Sequence, residues 1–376
     1  MNRAIFITES IGSSNNGGGS LSAVDFTNLL NERFDDLTIY TFRPHLLNNI
    51  NNTSQVVYIK RELPKVKNLR DFLKYCYYLI LNINTLKEIT TDRETSIFVN
   101  SWPLFYNTIE LSGPYSRKIL IVRGSVNFLD FIEDGLGKLE RSKLYADSFN
   151  LFDSIIFVSK NIIPKWIEYT GYNKKIFVLR NAIRSGIKTQ NSIISRQYAN
   201  NFNIVLVGSI QSRKNQGIIE LAAKQSFSLF PHVRFHLIGG VSKTHGGEEI
   251  YRNLASYKNI IFHGHRQDVS NYIYDASLCL FTSKAEALPR TLIEYISFGK
   301  ITISSDIDGN SEMIIDNETG FLFNPDDQVE LWSKIKFVIE NHQNLQYVSK
   351  NAKDRYSRLF TLEAQSVSFD KIMDKL

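Results

Sequence analysis

The chain has 376 residues, of which 43% are hydrophobic and 22% charged, with only 8 prolines and 20 glycines and a formal net charge of +6 at pH 7. This is the composition of a globular protein, and the length exceeds what one hydrophobic core ordinarily serves, so two domains are expected. No run reaches the roughly 18 apolar residues that a membrane span needs, which argues against an integral membrane protein.

The N-terminus and the cysteine content both favour a cytoplasmic protein. The first residues, MNRAIFITES, become acidic and polar too early for a signal peptide. The two cysteines, Cys76 and Cys279, each lie in an apolar run, and we expect buried, reduced thiols at both positions.

The positive charge is unevenly distributed along the chain. Residues 1–190 contain 24 Lys and Arg against 18 Asp and Glu, a net +6, whereas residues 191–376 contain 20 of each, a net zero. A basic half fits an anionic substrate, an anionic membrane or nucleic acid. Nucleic acid is disfavoured as a partner, because the chain shows no nucleic-acid-binding module pattern.

The first half alternates short β-branched runs with helical stretches. RAIFITES predicts a strand that leads into a glycine-rich loop and a helix. Further strands are predicted at LTIYTF, QVVYIK, SIFVNS, KILIVRG, SIIFVS and KIFVLRN, with helices over 68–90 and 138–152. Buried strands that alternate with helices favour a parallel α/β domain.

The alternation restarts after a polar segment without strong periodicity, RSGIKTQNSIISRQYANN. Strands are predicted at NIVLVGS, VRFHLIGG, NIIFHGH, SLCLFTS and KITISSD. Helices are predicted over 214–230, 246–257, 268–276 and 289–298, with a short one at EMIID and two or three more over 326–375. This pattern predicts a second open α/β sheet.

These elements predict an α/β chain with two Rossmann-like domains. The N-terminal domain is expected over 1–185, a linker over 186–202 and the C-terminal domain over 203–358. A last helix, 359–376, is expected in a position to pack back on the N-terminal domain. Because such sheets bind ligands at the carboxyl ends of their strands, the site is expected in a cleft between the domains.

The segment EALPRTLIE, residues 286–294, follows the strand SLCLFTS. Pro289 suits the first turn of a helix, and the amides at that helix start would then be open donors for an anion. Carboxylates bind vicinal hydroxyls, so Glu286 and Glu294 on either side of an anion site favour a sugar–diphosphate–ribose ligand. A helix cap and a solvated helix face are the plain alternative for the same two residues.

A basic pair, Arg213 and Lys214, follows the strand NIVLVGS at the predicted start of a helix. Cations there oppose the helix dipole, so a bound anion would explain them. Arginine offers a bidentate fork and lysine a point charge, which together suit a phosphate group. A solvated basic pair is the alternative.

The segment FHGHRQD places His265 and Arg266 directly after a strand, where they are candidates for the border of a nucleobase site. Two histidines flank the glycine, but no cysteine or acidic pair completes a set of metal ligands. No metal site is predicted.

Together these segments resemble the family 4 retaining glycosyltransferases, which have the GT-B fold of two facing Rossmann-like domains with a cleft between them. The likeness covers most of the second domain, where the Arg-Lys segment, EALPRTLIE and GK…SSDIDGNSEMIIDNETGFLFNPDD occur in the family's order. In the first domain the likeness is looser and comprises GGG at 17–19, FVSK at 157–160 and VLRNAI at 178–183.

The resemblance implies roles for the second-domain residues. Glu294 would hold the nucleotide ribose, and Glu286 would contact hydroxyls of the donor sugar. The donors to the diphosphate would be Arg213, Lys214 and the backbone amides of Thr291 and Leu292. The residues expected to be catalytic are Glu286, Lys214 and Arg213.

Four first-domain residues receive roles from the same resemblance. Gly18 and Gly19 would let the backbone approach the phosphate and the acceptor. Arg123 and Asn181 are expected on the acceptor side. Arg123 stands where the family often has a histidine, and since arginine cannot act as a base, it is expected to bind an anionic group.

The implied function is retaining, metal-independent transfer of a sugar from a nucleotide-sugar donor to a glycan or lipid-linked glycan, in bacterial surface polysaccharide or glycoconjugate synthesis. UDP is favoured as the nucleotide, and no cofactor is expected. Two alternatives stay open: a GT-B-like nucleotide-sugar epimerase, and a non-catalytic nucleotide-sugar-binding protein. An NAD-dependent oxidoreductase is disfavoured, because LIGGVSK lacks the G-x-G-x-x-G spacing.

Residues 60–81, KRELPKVKNLRDFLKYCYYLIL, lead from a basic stretch into an aromatic-rich apolar one. The segment has six basic and two acidic residues, a net charge of +4. This pattern suits an anionic membrane surface, whereas a core helix with a basic lead-in is the alternative. The hypothesis is a cytoplasmic enzyme that associates with the inner face of the plasma membrane.

Overall fold

A computed structural model describes residues 3–11, 18–44, 55–58, 95–100, 117–127, 147–184 and 200–376. The chain divides into two compact units, Met1–Arg180 with Ser366–Leu376, and Asn181–Gln365. The basic segment 60–81, the predicted helix over 68–90 and Cys76 lie outside the described residues.

The first unit is built on a parallel sheet with seven described strands. They are β1 (Arg3–Ile11), β2 (Asp36–Pro44), β3 (Gln55–Tyr58), β4 (Ser96–Asn100), β5 (Arg117–Val122), β6 (Ser154–Phe157) and β7 (Lys175–Val178). Their order in the sheet is β3-β2-β1-β4-β5-β6-β7. The helices α1 (Gly18–Arg33) and α2 (Ile163–Thr170) connect strands of this sheet.

The second unit is built on a parallel sheet with six described strands. Its strands are β8 (Phe202–Val207), β9 (Val233–Ile238), β10 (Ile260–Gly264), β11 (Leu278–Phe281), β12 (Thr302–Ser305) and β13 (Phe321–Phe323). Their order is β10-β9-β8-β11-β12-β13, so the chain reverses direction across the sheet between β8 and β11. That reversal is the point at which doubly wound sheets bind ligands.

Seven α-helices in the described part of the second unit complete its α/β alternation. They are α3 (Glu220–Leu229), α4 (Gly247–Leu254), α5 (Val269–Asp275), α6 (Arg290–Ser297), α7 (Asp308–Met313), α8 (Gln328–Asn341) and α9 (Gln346–Leu359). Short 3-10 turns cover Ser212–Lys214, Gln216–Ile219 and His342–Leu345. The two α/β units with parallel sheets confirm the predicted Rossmann-like architecture.

The last helix, α10 (Leu362–Met373), supplies part of the first unit's core. Phe369 and Ile372 are buried in the hydrophobic cluster that also contains residues of β1, α1 and β4. The ring of Phe26 lies 5.3 Å from Phe6, 5.6 Å from Phe98 and 5.5 Å from Phe369, measured between centroids. This aromatic cluster fixes the C-terminal residues to the first sheet.

Several strands are short, apolar and fully buried, as is usual in parallel sheets, which are covered on both faces. All four residues of β6 and of β11 are buried. The thiol of Cys279 on β11 is free and buried, as expected, and burial raises its pKa to about 12.

Local signals set several helix ends. Asp327 caps α8, since its carboxylate accepts from the amides of Val329 at 2.9 Å and Glu330 at 2.8 Å. Gly299 follows α6 with φ of 64°, a left-handed conformation that glycine adopts readily.

Two predicted elements differ from the structure, and one strand was not predicted. The helix expected at EMIID, residues 312–316, instead spans Asp308–Met313, because Ile307 has the extended backbone of a helix N-cap and Ile314 is again extended. The helix expected over 214–230 starts as two 3-10 turns and becomes α-helical at Glu220. The strand β13 had no prediction, since three residues are too few to show a period.

No helix in the described parts of the chain is long and apolar enough to cross a membrane.

Candidate active site

Two loops at the carboxyl edge of the second sheet bring the main predicted residues together. One loop follows β8 and contains Arg213 and Lys214; the other follows β11 and contains Glu286. The two strands are parallel neighbours in the sheet. Residues 72 or 73 positions apart in the chain therefore meet at the topological switch point.

Two hydrogen bonds tie these loops to each other. The hydroxyl of Thr282 donates to the carbonyl of Lys214 at 2.7 Å, and the amide of Lys284 donates to the carbonyl of Arg213 at 2.8 Å. Asn215 closes the short 3-10 turn in the left-handed region, with φ of 55°. Asparagine tolerates that conformation better than most residues. The turn places both basic side chains beside the second loop.

The three predicted catalytic residues form one charged cluster. Nη1 of Arg213 lies 2.5 Å and Nζ of Lys214 2.7 Å from the same carboxylate oxygen, Oε1 of Glu286. Their side chains are 18%, 17% and 15% exposed, respectively. A guanidinium, an ammonium and a carboxylate leave one net positive charge at the switch point, which suits an anion.

Burial and pairing compete for the charge states in this cluster. Burial lowers the pKa of Lys214, and although the Glu286 carboxylate raises it again, the pKa stays below its ordinary value. Burial alone would raise the pKa of Glu286, but the two cations outweigh it and hold that pKa below the usual range. Glu286 is therefore ionised at neutral pH.

Lys214 also has an aromatic neighbour. Its ammonium lies 5.3 Å from the ring centroid of Phe281, the last residue of β11. Its side-chain carbons lie 3.8 Å from the position that a Cβ at Gly208 would occupy. Gly208 and the Phe281 ring therefore both lie beside the Lys214 side chain, and a side chain at position 208 would contact it.

Glu294 differs from the clustered charges, because no described residue pairs with its carboxylate. It lies one helical turn into α6, and burial raises its pKa to about 7, with the Arg290 charge opposing the shift. The adjacent Tyr295 is fully buried, and its hydroxyl accepts from the amide of Val207 on β8 at 2.8 Å. The helix is therefore fixed beside β8 while a partly buried carboxylate stays available to a ligand.

The start of α6 differs in one respect from the prediction. The amide of Leu292 donates to the carbonyl of Pro289 at 3.1 Å, so it is not an open donor as expected. A 3-10-type first turn satisfies amides that an ideal α-helix leaves unpaired. Thr291 lies in the same first turn, and no described backbone carbonyl accepts from its amide.

Asn181 supports the loop between Glu286 and α6. Its side-chain amide donates to the carbonyl of Leu288 at 2.7 Å, and Arg290 donates in return to the carbonyl of Ala182 at 2.9 Å. Asn181 is 7% exposed. Asn181 therefore tethers the loop between Glu286 and α6, and its predicted acceptor role stays a prediction.

His265 and Arg266 lie after β10, at the same edge of the sheet as the charged cluster. Arg266 makes two hydrogen bonds to Asp268, at 2.9 and 3.0 Å, and its guanidinium lies 5.8 Å from the ring centroid of Tyr272. His265 is exposed. Their predicted place beside a nucleobase stays a prediction.

In the first unit, the predicted residues follow β1 and β5, two strands that lie on either side of β4. Gly18 and Gly19 begin α1. Arg123 follows β5 and donates through Nε to Oδ1 of Asn100 at 2.5 Å and through Nη2 to the carbonyl of Ser22 at 3.3 Å. These bonds hold the guanidinium against α1, where an anionic group could reach it.

Thr282 and Gly309 were missed by the sequence analysis. Thr282 could have been found as a polar residue directly after a strand. Gly309 has no such signal, because its importance lies in the close approach of α7 to Ala287.

No three His, Cys, Asp or Glu side chains of the described residues come together in a way that could hold a metal ion. The charged cluster can bind an anion through its two cations, and the Glu294 carboxylate can accept from hydroxyl groups. The predicted metal independence stays untested.

The sequence matches the glycosyl transferases group 1 family over residues 188–355. The capsular polysaccharide biosynthesis glycosyltransferase CapM of Staphylococcus aureus is 21% identical over 334 residues, which cover 83% of this chain and 82% of CapM. EpsD of Bacillus subtilis (strain 168) is 22% identical over 176 residues, so this match spans 46% of each chain, about half the length of EpsD.

Solved structures show the same fold over the whole chain. HepE of Anabaena, crystallised in complex with UDP and glucose, has a TM-score of 0.80 and 18% identity, with all of both chains covered. Sucrose-phosphate synthase of Thermosynechococcus elongatus has a TM-score of 0.80 and 16% identity, covering 100% of this chain and 99% of that one. Residues 188–355 therefore resemble a glycosyl transferases group 1 domain, and the chain is a glycosyltransferase with the GT-B fold.

Proposed function

We propose that the chain is a retaining, metal-independent glycosyltransferase that moves a sugar from a UDP-sugar to a glycan or lipid-linked glycan in surface polysaccharide synthesis. The donor class is supported by HepE of Anabaena, whose structures contain UDP or UDP-glucose. The biological setting is supported by CapM, which is named for capsular polysaccharide biosynthesis.

The observation that carries the proposal is the pairing of two different recognition groups at one edge of the second sheet. The Arg213–Lys214–Glu286 cluster has net positive charge for a diphosphate, and α6 presents an unpaired, partly buried carboxylate at Glu294. A diphosphate with a ribose at one end and a sugar at the other needs both kinds of group.

The cluster suits the charge that develops during transfer. As the bond between the sugar's anomeric carbon and the diphosphate oxygen breaks, negative charge grows on that oxygen, and Lys214 and Arg213 stabilise it. The acceptor hydroxyl oxygen bonds to the anomeric carbon on the same face, and its proton passes to the leaving phosphate. This step requires no enzymic base.

Glu286 has a separate task in this scheme. Both cations use its Oε1, so Oε2 is the oxygen that can accept from a hydroxyl of the donor sugar. The Glu286 carboxylate then orients both the two cations and the donor sugar. This holds the anomeric carbon and the leaving diphosphate oxygen in the geometry that the reaction needs.

A donor panel tests the proposed function. UDP-, GDP-, ADP- and dTDP-sugars should be ranked by the rise in the protein's melting temperature that each gives. The sugars that bind should then be assayed for slow hydrolysis of the donor. We expect UDP-sugars to give the largest rise and to release UDP. A chain that is stabilised by none of these sugars would contradict the proposal, and preference for another nucleotide would correct the donor.

Activity should survive a chelator. Because two cationic side chains face the leaving diphosphate, we expect donor hydrolysis and transfer to proceed equally with and without excess EDTA. The measurement is the initial rate of UDP release in both conditions, with a metal-dependent glycosyltransferase as control. Loss of the rate in EDTA, restored by Mg²⁺ or Mn²⁺, would show that a metal takes part.

We propose a cytoplasmic location with peripheral attachment through the basic segment 60–81, which would place the enzyme near a lipid-linked acceptor. Each basic residue near an anionic surface contributes about 1 kcal/mol, screened by salt. We expect co-sedimentation with anionic vesicles at low salt, and its loss when Lys60, Arg61, Lys65 and Lys67 become glutamine. If the wild-type protein does not co-sediment with such vesicles at low salt, the proposed membrane attachment is wrong.

A further inference from the structure

Two histidines lie side by side on neighbouring strands of the second sheet, away from the charged cluster. Nδ1 of His236 on β9 is 2.9 Å from Nε2 of His263 on β10, and their rings are stacked, 20° from parallel. Nε2 of His236 lies 3.1 Å from Oδ1 of Asn203 on β8. His236 is fully buried, so these two partners satisfy both of its ring nitrogens.

The direction of these bonds follows from the chemistry of the partners. Because Oδ1 of Asn203 can only accept, Nε2 of His236 carries the hydrogen and Nδ1 is left as an acceptor. His263 must then donate from its Nε2. Burial, with smaller contributions from His263 and Arg234, lowers the pKa of His236 to about 3, so this neutral arrangement holds at physiological pH.

His263 lies at an irregularity of β10. Phe262 pairs with Leu237 and Gly264 pairs with Ile238, so His263 is an extra residue between two paired ones. Such a bulge bends a strand and redirects the residues after it. The bulged side chain bonds to His236, and Tyr272 packs edge-on against its ring at 4.7 Å between centroids.

A continuous set of contacts leads from this bulge to the catalytic lysine. The carbonyl of Gly264 accepts from the amide of Gly239 at 2.8 Å. Gly239 has φ of 156° and lies so close to Gly208 that an added Cβ would be 2.0 Å from the Gly208 carbonyl oxygen. Gly208 in turn borders the side chain of Lys214. The loops after three adjacent strands therefore pack directly on one another.

We propose that His236 and His263 are positioning residues for the donor site. Their hydrogen bond holds the bulge at the end of β10, and the bulge sets the backbone that supports Lys214. The same bulge sets the path of the loop containing His265. The inference rests on the proposed function for the identity of the ligand, a nucleoside diphosphate, but the mechanical link from bulge to lysine does not.

The test compares two substitutions that differ in one hydrogen-bond donor. His263→Leu removes the hydrogen bond to Nδ1 of His236. His263→Gln can still donate from its side-chain amide. The matched control is Asn259→Ala, at the amino end of the same strand. Asn259 is buried, and its side-chain amide donates to the Ala223 carbonyl at 2.9 Å and to the Ser226 hydroxyl at 3.1 Å. Asn259→Ala removes these hydrogen bonds and so destabilises the start of β10, at the opposite end from the bulge.

Hydrogen exchange is the first readout, because it needs no ligand. We expect His263→Leu to raise exchange of amides in 208–214 and 264–268 about tenfold relative to wild type, as local opening becomes easier. His263→Gln should stay within about threefold, and Asn259→Ala should leave these amides unchanged. Wild-type exchange in His263→Leu, or an equal rise in Asn259→Ala, would overturn the positioning role.

Titration with UDP is the second readout. We expect His263→Leu to bind UDP about tenfold more weakly, as one lost hydrogen bond predicts, with His263→Gln and Asn259→Ala near wild type. Equal affinity in His263→Leu and wild type would overturn the link to the donor. If wild type binds no UDP, the proposed UDP specificity fails, and the exchange result still decides the mechanical link.

Discussion

Lys214→Ala is expected to lower turnover about 10²- to 10³-fold, the usual effect of removing one group that stabilises developing charge. Donor affinity should fall much less, because the ground-state diphosphate keeps Arg213 and spreads its charge over several oxygens. The difference arises because an interaction that strengthens in the transition state affects the rate more than it affects binding. The measurements are kcat from initial rates and the donor Kd from calorimetry.

Lys284→Ala is the matched control for that substitution. Lys284 lies in the neighbouring loop, and its ammonium makes an exposed ion pair with Asp326 at 2.6 Å. Removing it changes the net charge equally but leaves the cluster intact, and exposed pairs contribute little to stability. If Lys214→Ala kept its turnover while donor affinity collapsed, Lys214 would be a binding group without a role in the transition state.

Gly309→Ala is expected to damage the site through the backbone. A Cβ at this position would lie 1.8 Å from the carbonyl oxygen and 2.4 Å from the carbonyl carbon of Ala287. Since both atoms belong to the main chain, the loop next to Glu286 must move to accommodate the methyl group. We expect a destabilisation of about 1–3 kcal/mol, as for other overpacked sites, together with weaker donor binding. Chemical unfolding and calorimetry measure the two effects.

Gly217→Ala is the control, because the same methyl group there would meet only Ile250 Cγ1 at an ordinary distance of 3.9 Å. Its free energy of unfolding and donor affinity should stay near wild type. A Gly309→Ala variant that unfolds and binds like wild type would show that the close approach of α7 does not hold the loop in place.

The fold was largely predictable because its signals are local. Short β-branched runs that alternate with helical stretches specify buried parallel strands, and both sheets follow that pattern. The exceptions are also local: β13 has three residues and no readable period, and α7 begins at Asp308 because an extended Ile307 precedes it.

The candidate site was predictable only as a set of residues. The positions of Arg213, Lys214 and Glu286 after strands indicated that they meet, but not that one carboxylate oxygen accepts from both cations. That pairing depends on the positions of two loops relative to each other at the edge of the sheet, and these loops lie far apart in the chain. The tether made by Asn181 depends in the same way on tertiary contacts.

The His236–His263 hydrogen bond shows why residue spacing alone did not predict the role of His263 in the segment FHGHRQD. In the sequence, the histidines that flank Gly264 lack the further ligands of a metal site and indicate no partner for His263. In the structure, His263 turns inward to a partner on β9 that lies 27 residues earlier in the chain. A bulge has no sequence signature here, because it is set by the pairing of two strands and not by the composition of one.

A titration of UDP-glucose into wild type, Glu294→Gln and Glu294→Ala between about pH 6 and 8.5 tests the central claim most directly, since the diphosphate of this ligand does not titrate in that range. A carboxyl group with a pKa of about 7 is a stronger acceptor for ribose hydroxyls when it is ionised. Wild-type affinity should therefore rise as the pH passes 7, about tenfold in total, whereas both variants should bind weakly and without that rise. The loss at about pH 8 should be about 1.5–3 kcal/mol, the contribution of a hydrogen bond to a charged group. Equal affinity in all three proteins, or parallel pH profiles, would remove Glu294 from the donor site and contradict the proposed binding mode.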